Sequence, residues 1–178
     1  TLVEQLPLVV YLLEADDEQT PRYFSPRYEL ITGFTVEEAI HRTAHWLTFV
    51  HPEDHDRVAA VFAESQAAQT PFSADYRYIR KDGEVRWIRD YCDAIRDPSG
   101  VAVALLGTMQ DITEHVEAEA MQARLAAIVE SAADGILSVD RAGRILSWNR
   151  GAEQIYGYPA HEAIGRNVVM LRTPEADD

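Results

Sequence analysis

The stretch over residues 72–113 constrains the fold of this chain more than any other. Tyr76-Arg77-Tyr78-Ile79 and Val85-Arg86-Trp87-Ile88 are aromatic and β-branched runs on either side of Asp82-Gly83. That dipeptide between such runs predicts a hairpin, with Gly83 supplying positive φ in a type I′ turn. A second turn signal follows at Asp97-Pro98-Ser99-Gly100, then an apolar run over 101–109, then Asp111-Ile112-Thr113. The pattern predicts three antiparallel strands that feed directly into a long helix. On the first strand Phe72, Ala74, Tyr76 and Tyr78 alternate with Ser73, Asp75 and Arg77, so one face is apolar. On the second strand neither alternating set is polar throughout, which predicts that both faces are at least partly covered.

Upstream, residues 8–13 form an apolar, partly β-branched run that reads as a strand buried on both faces. Arg22-Tyr23-Phe24 reads as a short second strand. Leu2, Val3 and Leu6 suggest a helical turn before Pro7. Ser25-Pro26 predicts a helix start with Ser25 as N-cap, and Gly33 its end. Thr35 with Glu38 predicts a capping box. His51-Pro52-Glu53-Asp54 predicts the start of a helix reaching about Gln69, stopped by Pro71, with Val58, Val61, Phe62 and Ser65 on its inner face. Asp111 can cap the helix expected over 112–132, which carries Ala118, Met121, Leu125, Ile128 and Ala132 at heptad spacing.

A repeat runs through the chain. Val3-Glu4, Phe24-Ser25, Gly33-Phe34, Glu38-Ala39-Ile40 and Pro52-Glu53 recur as Val129-Glu130, Trp148-Asn149, Gly157-Tyr158, Glu162-Ala163-Ile164 and Pro174-Glu175. The second copy lacks counterparts of the long helix and the three strands, so it is expected to bury its core poorly.

With the hairpin, the Asp-Ile-Thr ending and the paired Gly-Phe/Gly-Tyr helix ends in hand, the chain resembles the PAS sensory domain family. The resemblance implies an α+β fold: a five-stranded antiparallel sheet, order 2-1-5-4-3, with helices on one face around a ligand pocket. It implies a PAS domain over 1–113, a linker helix or coiled coil over 114–132, and the N-terminal half of a second, truncated PAS domain over 133–178. The expected role is the sensory input module of a sensor histidine kinase or diguanylate cyclase, without catalysis of its own. The rival is a ligand-free dimerisation and spacing scaffold, favoured if Trp46, Phe49, Phe62, Tyr76 and Tyr78 fill the pocket.

The family's strand register implies that Tyr76, Tyr78, Ile88, Asp90, Cys92, Leu105 and Met109 face the pocket, with Trp46 and Phe62 beside it. It puts Trp87, Tyr91, Ala104 and Leu106 on the outer face. Trp87 and Leu106, with Met121, Leu125 and Ile128, are expected to dock a second subunit or flanking helices. Asp111, Ile112 and Thr113 are the expected exit of the signal. Asp90 stands out, because a carboxylate facing an apolar pocket needs a partner or a raised pKa.

His41, His45, His51 and His55 do not complete a metal site on spacing alone, and His51 reads as part of a helix start. His55 is the candidate axial ligand if the domain holds haem, as some relatives do. A non-covalent small ligand is the other option. A covalent flavin photoadduct is argued against, because the Gly-Arg-Asn-Cys-Arg pattern of light-sensing relatives reads Gly165-Arg166-Asn167-Val168-Val169 here, and Arg42-Thr43-Ala44 stands in that region of the first copy. Cys92 reads as a small buried hydrophobe. His115 lacks the neighbours of a kinase phosphoacceptor.

Thirty Asp and Glu against sixteen Lys and Arg give a net charge of −14, which argues against nucleic acid as a partner. No apolar run approaches the roughly 18 residues of a membrane span. The single cysteine fits a reducing cytoplasm. A chain of this kind is expected to be a piece of a longer polypeptide, with its output domain downstream and a homodimer as its working state.

Overall fold

The computed structural model describes residues 6–16, 18–41 and 45–171. The chain divides into two units, Thr1–Val116 and Glu117–Asp178. The first holds β1 (Val9–Glu14), β2 (Pro21–Phe24), α1 (Arg27–Thr32), α2 (Val36–Ile40), a 3-10 turn at Trp46–Phe49, α3 (Pro52–Ala68), β3 (Phe72–Ile79), β4 (Val85–Arg96) and β5 (Ala102–Asp111). The strands make one antiparallel sheet in the order β2-β1-β5-β4-β3, the expected topology. Helix α4 (Thr113–Ser131) follows β5 almost without a break.

Phe72, Ala74, Tyr76 and Tyr78 are all buried while their neighbours on β3 are not, so the predicted alternation holds. They join Val9, Tyr11, Ile88 and Met109 of the other strands, and Tyr28, Ile31, Ala39 and Val58 of the helices, in one core. Val9, Val58 and Ile88 are fully buried, and each such side chain stabilises by roughly 1.5–3 kcal/mol. Strand β1 buries one face deeply, at Val9 and Tyr11, and the other only in part. The expectation of burial on both faces therefore holds only for one side.

Local signals differ in detail from their sequence reading. The Thr35–Glu38 capping box forms, and Gly33 takes positive φ at the end of α1. Ser25 does not cap α1; its buried hydroxyl accepts the Val10 backbone N–H at 3.0 Å. The β3–β4 connection is not type I′. Arg80 N–H donates to Glu84 O, leaving a three-residue loop of Lys81, Asp82 and Gly83, in which only Gly83 has positive φ. The loop is a turn followed by a left-handed glycine, the next commonest hairpin solution. Asp97–Val101 closes in the same way.

The second unit contains most of α4, a two-stranded sheet of β6 (Leu137–Val139) and β7 (Ile145–Trp148), α5 (Arg150–Tyr156), α6 (Ala160–Ala163) and a 3-10 turn at Val168–Leu171. Its small core is Ile145, Trp148, Ala152 and Ala163. The repeat is visible in its bonds. Asn149 Oδ1 accepts the Ile136 N–H as Ser25 Oγ accepts that of Val10. Glu153 Oε1 accepts the Ala160 N–H as Glu29 Oε1 accepts that of Val36. The repeat members Val3-Glu4 and Pro174-Glu175, the Leu2-Val3 stripe and Arg42-Thr43-Ala44 lie outside the described residues.

Candidate ligand-binding site

Between the sheet and the short helices of the first unit lies a cavity of about 630 Å³. That is within the range of small-molecule sites. Trp46, Phe62, Tyr76, Tyr78, Asp90, Cys92 and Met109 all line it. Ile88 does not: it is fully buried in the packed core, without a face on the cavity. Leu105 faces a separate cleft beside Ala94 and Ala102. Ala104 shares the face of Leu106 but is buried, at 6% exposure. The aromatic side chains wall the cavity rather than fill it. Trp46 is central, with its ring 5.4 Å from Phe62, 5.8 Å from Phe72 and 6.2 Å from Tyr76.

Asp90 is the polar centre of the wall. It sits on β4 opposite Met109 of β5 and is 5% exposed. Tyr11 Oη donates to its Oδ1 at 2.9 Å, and Tyr76 Oη to its Oδ2 at 2.8 Å. Burial pushes the Asp90 carboxyl up to about 6, against the lowering by the two tyrosine hydroxyls and the Tyr91 backbone. Burial and the nearby carboxylate also raise the Tyr11 and Tyr76 hydroxyls well above the usual tyrosine range. The Cys92 thiol is pushed up to about 11 by burial, which disfavours its thiolate.

Sequence reasoning missed Tyr11. Its register partner is Gly107, and a Cβ there would stand 2.6 Å from Tyr11 Cε2 and closer still to Cζ and Oη. The glycine lets the Tyr11 ring cross β5 and reach Asp90 on β4. A glycine inside the apolar run over 101–109 was the available signal, since glycine within a strand often marks a close approach.

His55 is exposed and lies beside Asp56, 3.3 Å away, outside the cavity lining. The haem expectation that rested on it does not fit, because an axial ligand must point into the pocket. His41 and His45 line the cavity instead. Among the described residues no cluster of His, Cys, Asp and Glu could hold a metal ion.

The His51-Pro52-Glu53-Asp54 run does more than start α3. His51 Nδ1 accepts the Glu53 N–H, while Asp54 turns to β3. Its carboxylate accepts Arg77 Nε at 2.9 Å, Arg77 Nη2 at 3.0 Å and the Arg77 backbone N–H at 3.0 Å. These bonds hold the Asp54 carboxyl at about 2. The Arg77 guanidinium in turn lies 5.7 Å from the centroid of the Trp87 ring, and Trp87 is only partly exposed.

The predicted exit is tied to β4. Thr113 Oγ1 accepts the Trp87 N–H at 2.9 Å, the Ile112 N–H donates to Trp87 O at 2.9 Å, and Asp111 Oδ1 accepts the Thr113 N–H at 2.9 Å. The first turn of α4 is thus hydrogen-bonded to the strand that carries Asp90. On the outer face Tyr91 and Leu106 are exposed, as are Met121, Leu125 and Ile128 on α4.

The fold has clear relatives. A family model described as the PAS fold matches residues 21–109, and a second PAS fold model matches residues 123–178. The chain belongs to the PAS family. It is 31% identical over 136 residues to the sensor protein FixL of Bradyrhizobium diazoefficiens, covering 74% of this chain and 27% of that protein. It is likewise 31% identical over 124 residues to the probable diguanylate cyclase DgcE of Escherichia coli, covering 67% of this chain and 11% of that protein. The chain therefore spans only a small part of the length of these relatives. Among solved structures, the N-terminal domain of a diguanylate cyclase with PAS/PAC sensor from Marinobacter aquaeolei superposes with a TM-score of 0.55 at 29% identity, covering 61% of this chain and 97% of that one.

Proposed function

We propose that this chain is the sensory input module of a bacterial-type signalling protein, a sensor histidine kinase or diguanylate cyclase whose output domain belongs to the same polypeptide. The observation that carries the reading is the short path from cavity to helix. Asp90 and Met109 are paired across β4 and β5, and two residues beyond Met109 the chain reaches Asp111, Ile112 and Thr113. A change in what Asp90 binds acts on both strands that hold the first turn of α4. Residues 1–113 are the sensing PAS domain, 114–132 the linker helix, and 133–178 the first half of a second PAS domain. The segment transmits and does not catalyse. Among the described residues no helix is long and apolar enough to cross a membrane, and we place the module in the cytoplasm.

Transmission of this kind requires two states with different affinity for the ligand. A coupling of ~1–3 kcal/mol suffices to shift an output by a factor of roughly 5 to 150. The scaffold reading keeps one supporting observation, the exposed seam of Met121, Leu125 and Ile128. Native mass spectrometry of the gently purified chain separates the two. A small molecule retained at stoichiometric amount, and released by Asp90→Asn, supports sensing. A clean apo mass in a tight dimer, unchanged by cell extract, supports the scaffold and sinks the sensor.

A further inference from the structure

The charge balance of the cavity points to the class of ligand. Its described lining residues include two carboxylates, Asp90 and Glu18, and no Lys or Arg; among those described residues the imidazoles of His41 and His45 are the only basic groups. A buried carboxylate is costly unless a cation or a full set of hydrogen bonds compensates it. A carboxylate has about four acceptor positions. Tyr11, Tyr76 and the Tyr91 backbone account for three of those of Asp90. Among the described lining residues no Lys or Arg balances its charge. The same cavity is walled by Trp46, Tyr76, Phe62 and Phe72, rings that can attract a cation and pack an apolar body.

We infer that the cavity takes a small organic cation, an ammonium ion with an apolar or aromatic body, seated with its charge on Asp90 and its body against Trp46. The inference rests on the reading of this cavity as a ligand site and adds the chemistry of the ligand. An ammonium N–H completes the acceptor set of Asp90 with a charge-assisted hydrogen bond. An anion meets the Asp90 carboxylate there, and a neutral ligand leaves the Asp90 charge uncompensated.

The experiment is calorimetric titration of the whole chain with three probes of similar shape: 2-phenylethylammonium, neutral 2-phenylethanol and anionic 3-phenylpropionate. The cation is expected to bind about tenfold or more tightly than the neutral probe, as for a desolvated charge-assisted contact, and the anion not at all. Asp90→Asn is expected to abolish the preference while leaving the neutral probe within about twofold to threefold, since its packing surface is unchanged. That variant also separates the site from the diffuse attraction of a chain of net charge −14. Trp46→Leu, which keeps the carboxylate, is the second variant. It is expected to weaken phenyltrimethylammonium, which has no N–H to donate, more than it weakens 2-phenylethanol. Equal binding of cation and neutral probe overturns the ammonium assignment and leaves the ligand cavity standing, as does a preference that survives Asp90→Asn. Failure of every probe to bind overturns both.

Discussion

The Tyr11 ring occupies the space that a Gly107 side chain would need, with the two residues paired across β1 and β5. Only through this crossing does Tyr11 Oη reach Asp90. Gly107→Ala is therefore expected to displace Tyr11, break one of the two tyrosine bonds to Asp90 and destabilise the first unit. Overpacking of this kind costs about 1–3 kcal/mol. Urea denaturation of the single mutant and of Gly107→Ala with Tyr11→Leu checks it. The second change should recover part of the loss, and a loss unchanged by it would show that the clash lies elsewhere.

Stability should fall as pH rises through the range where Asp90 ionises. Its carboxyl is raised from 3.8 to about 6 in the folded chain. Between those values the folded state binds more protons than the unfolded state, so unfolding becomes easier with rising pH. The contribution is fully present below 3.8 and gone above about 6. Two pKa units correspond to on the order of 3 kcal/mol. Asp90→Asn should remove this slope and leave the variant at least as stable as the parent at pH 7.5. Chemical denaturation at half-unit steps from pH 4 to 8 measures it; parallel curves for the two proteins would refute the assignment.

The Asp54–Arg77 clasp has the opposite sign. The Arg77 bonds lower the Asp54 carboxyl from 3.8 to about 2, so its contribution is present above 3.8 and lost as pH falls toward 2. Asp54→Asn should destabilise by roughly 1–3 kcal/mol at pH 7, the range for hydrogen bonds to charged groups. The difference from the parent should narrow below pH 3. Thermal melts at pH 7 and 2.5 test this, and an equal gap at both would indicate lost packing instead of lost charge.

The sheet was legible in the sequence because period-two alternation and turn glycines are local signals. Phe72 to Tyr78 declare one apolar face without reference to any other strand. The site was legible only in part. Asp90 drew notice as a carboxylate in an apolar register, but its partner Tyr11 lies 79 residues away and nothing local joins them. Ile88 was drawn to the cavity by register alone, and the depth of packing around it decides that it belongs to the core. The haem expectation at His55 came from the family resemblance alone, and here that residue of α3 is exposed outside the cavity lining. Asp54 was read as a helix-start acid, which it is. Its stronger bond, to Arg77, is tertiary.

Thr113 ties the helix to the sensing sheet by one side-chain oxygen, which accepts the Trp87 N–H. Thr113→Val keeps the shape and leaves that N–H without its acceptor, at a cost of about 1–3 kcal/mol. The loss should appear locally. Hydrogen exchange at Trp87 and in the first turn of α4 should accelerate, while amides of β3 keep their protection. Uniform acceleration across the sheet would mean that Thr113 serves global stability and not the junction.

The seam on α4 sets the last expectation. Met121, Leu125 and Ile128 are 55%, 54% and 56% exposed, and large apolar side chains in such a row mark a contact surface. Their spacing is that of one coiled-coil seam over about two heptads, which is too short to hold two chains without help from flanking domains. Tyr91 and Leu106 are exposed on the outer sheet face of the first unit. Replacing Met121, Leu125 and Ile128 together by lysine should turn a dimer into a monomer at micromolar concentration. It should leave the far-ultraviolet dichroism of the folded units almost unchanged, since none of the three is buried. Light scattering across a concentration series reads the result. A parent chain that is monomeric throughout, or a triple variant that still dimerises, would remove the seam from the signalling route.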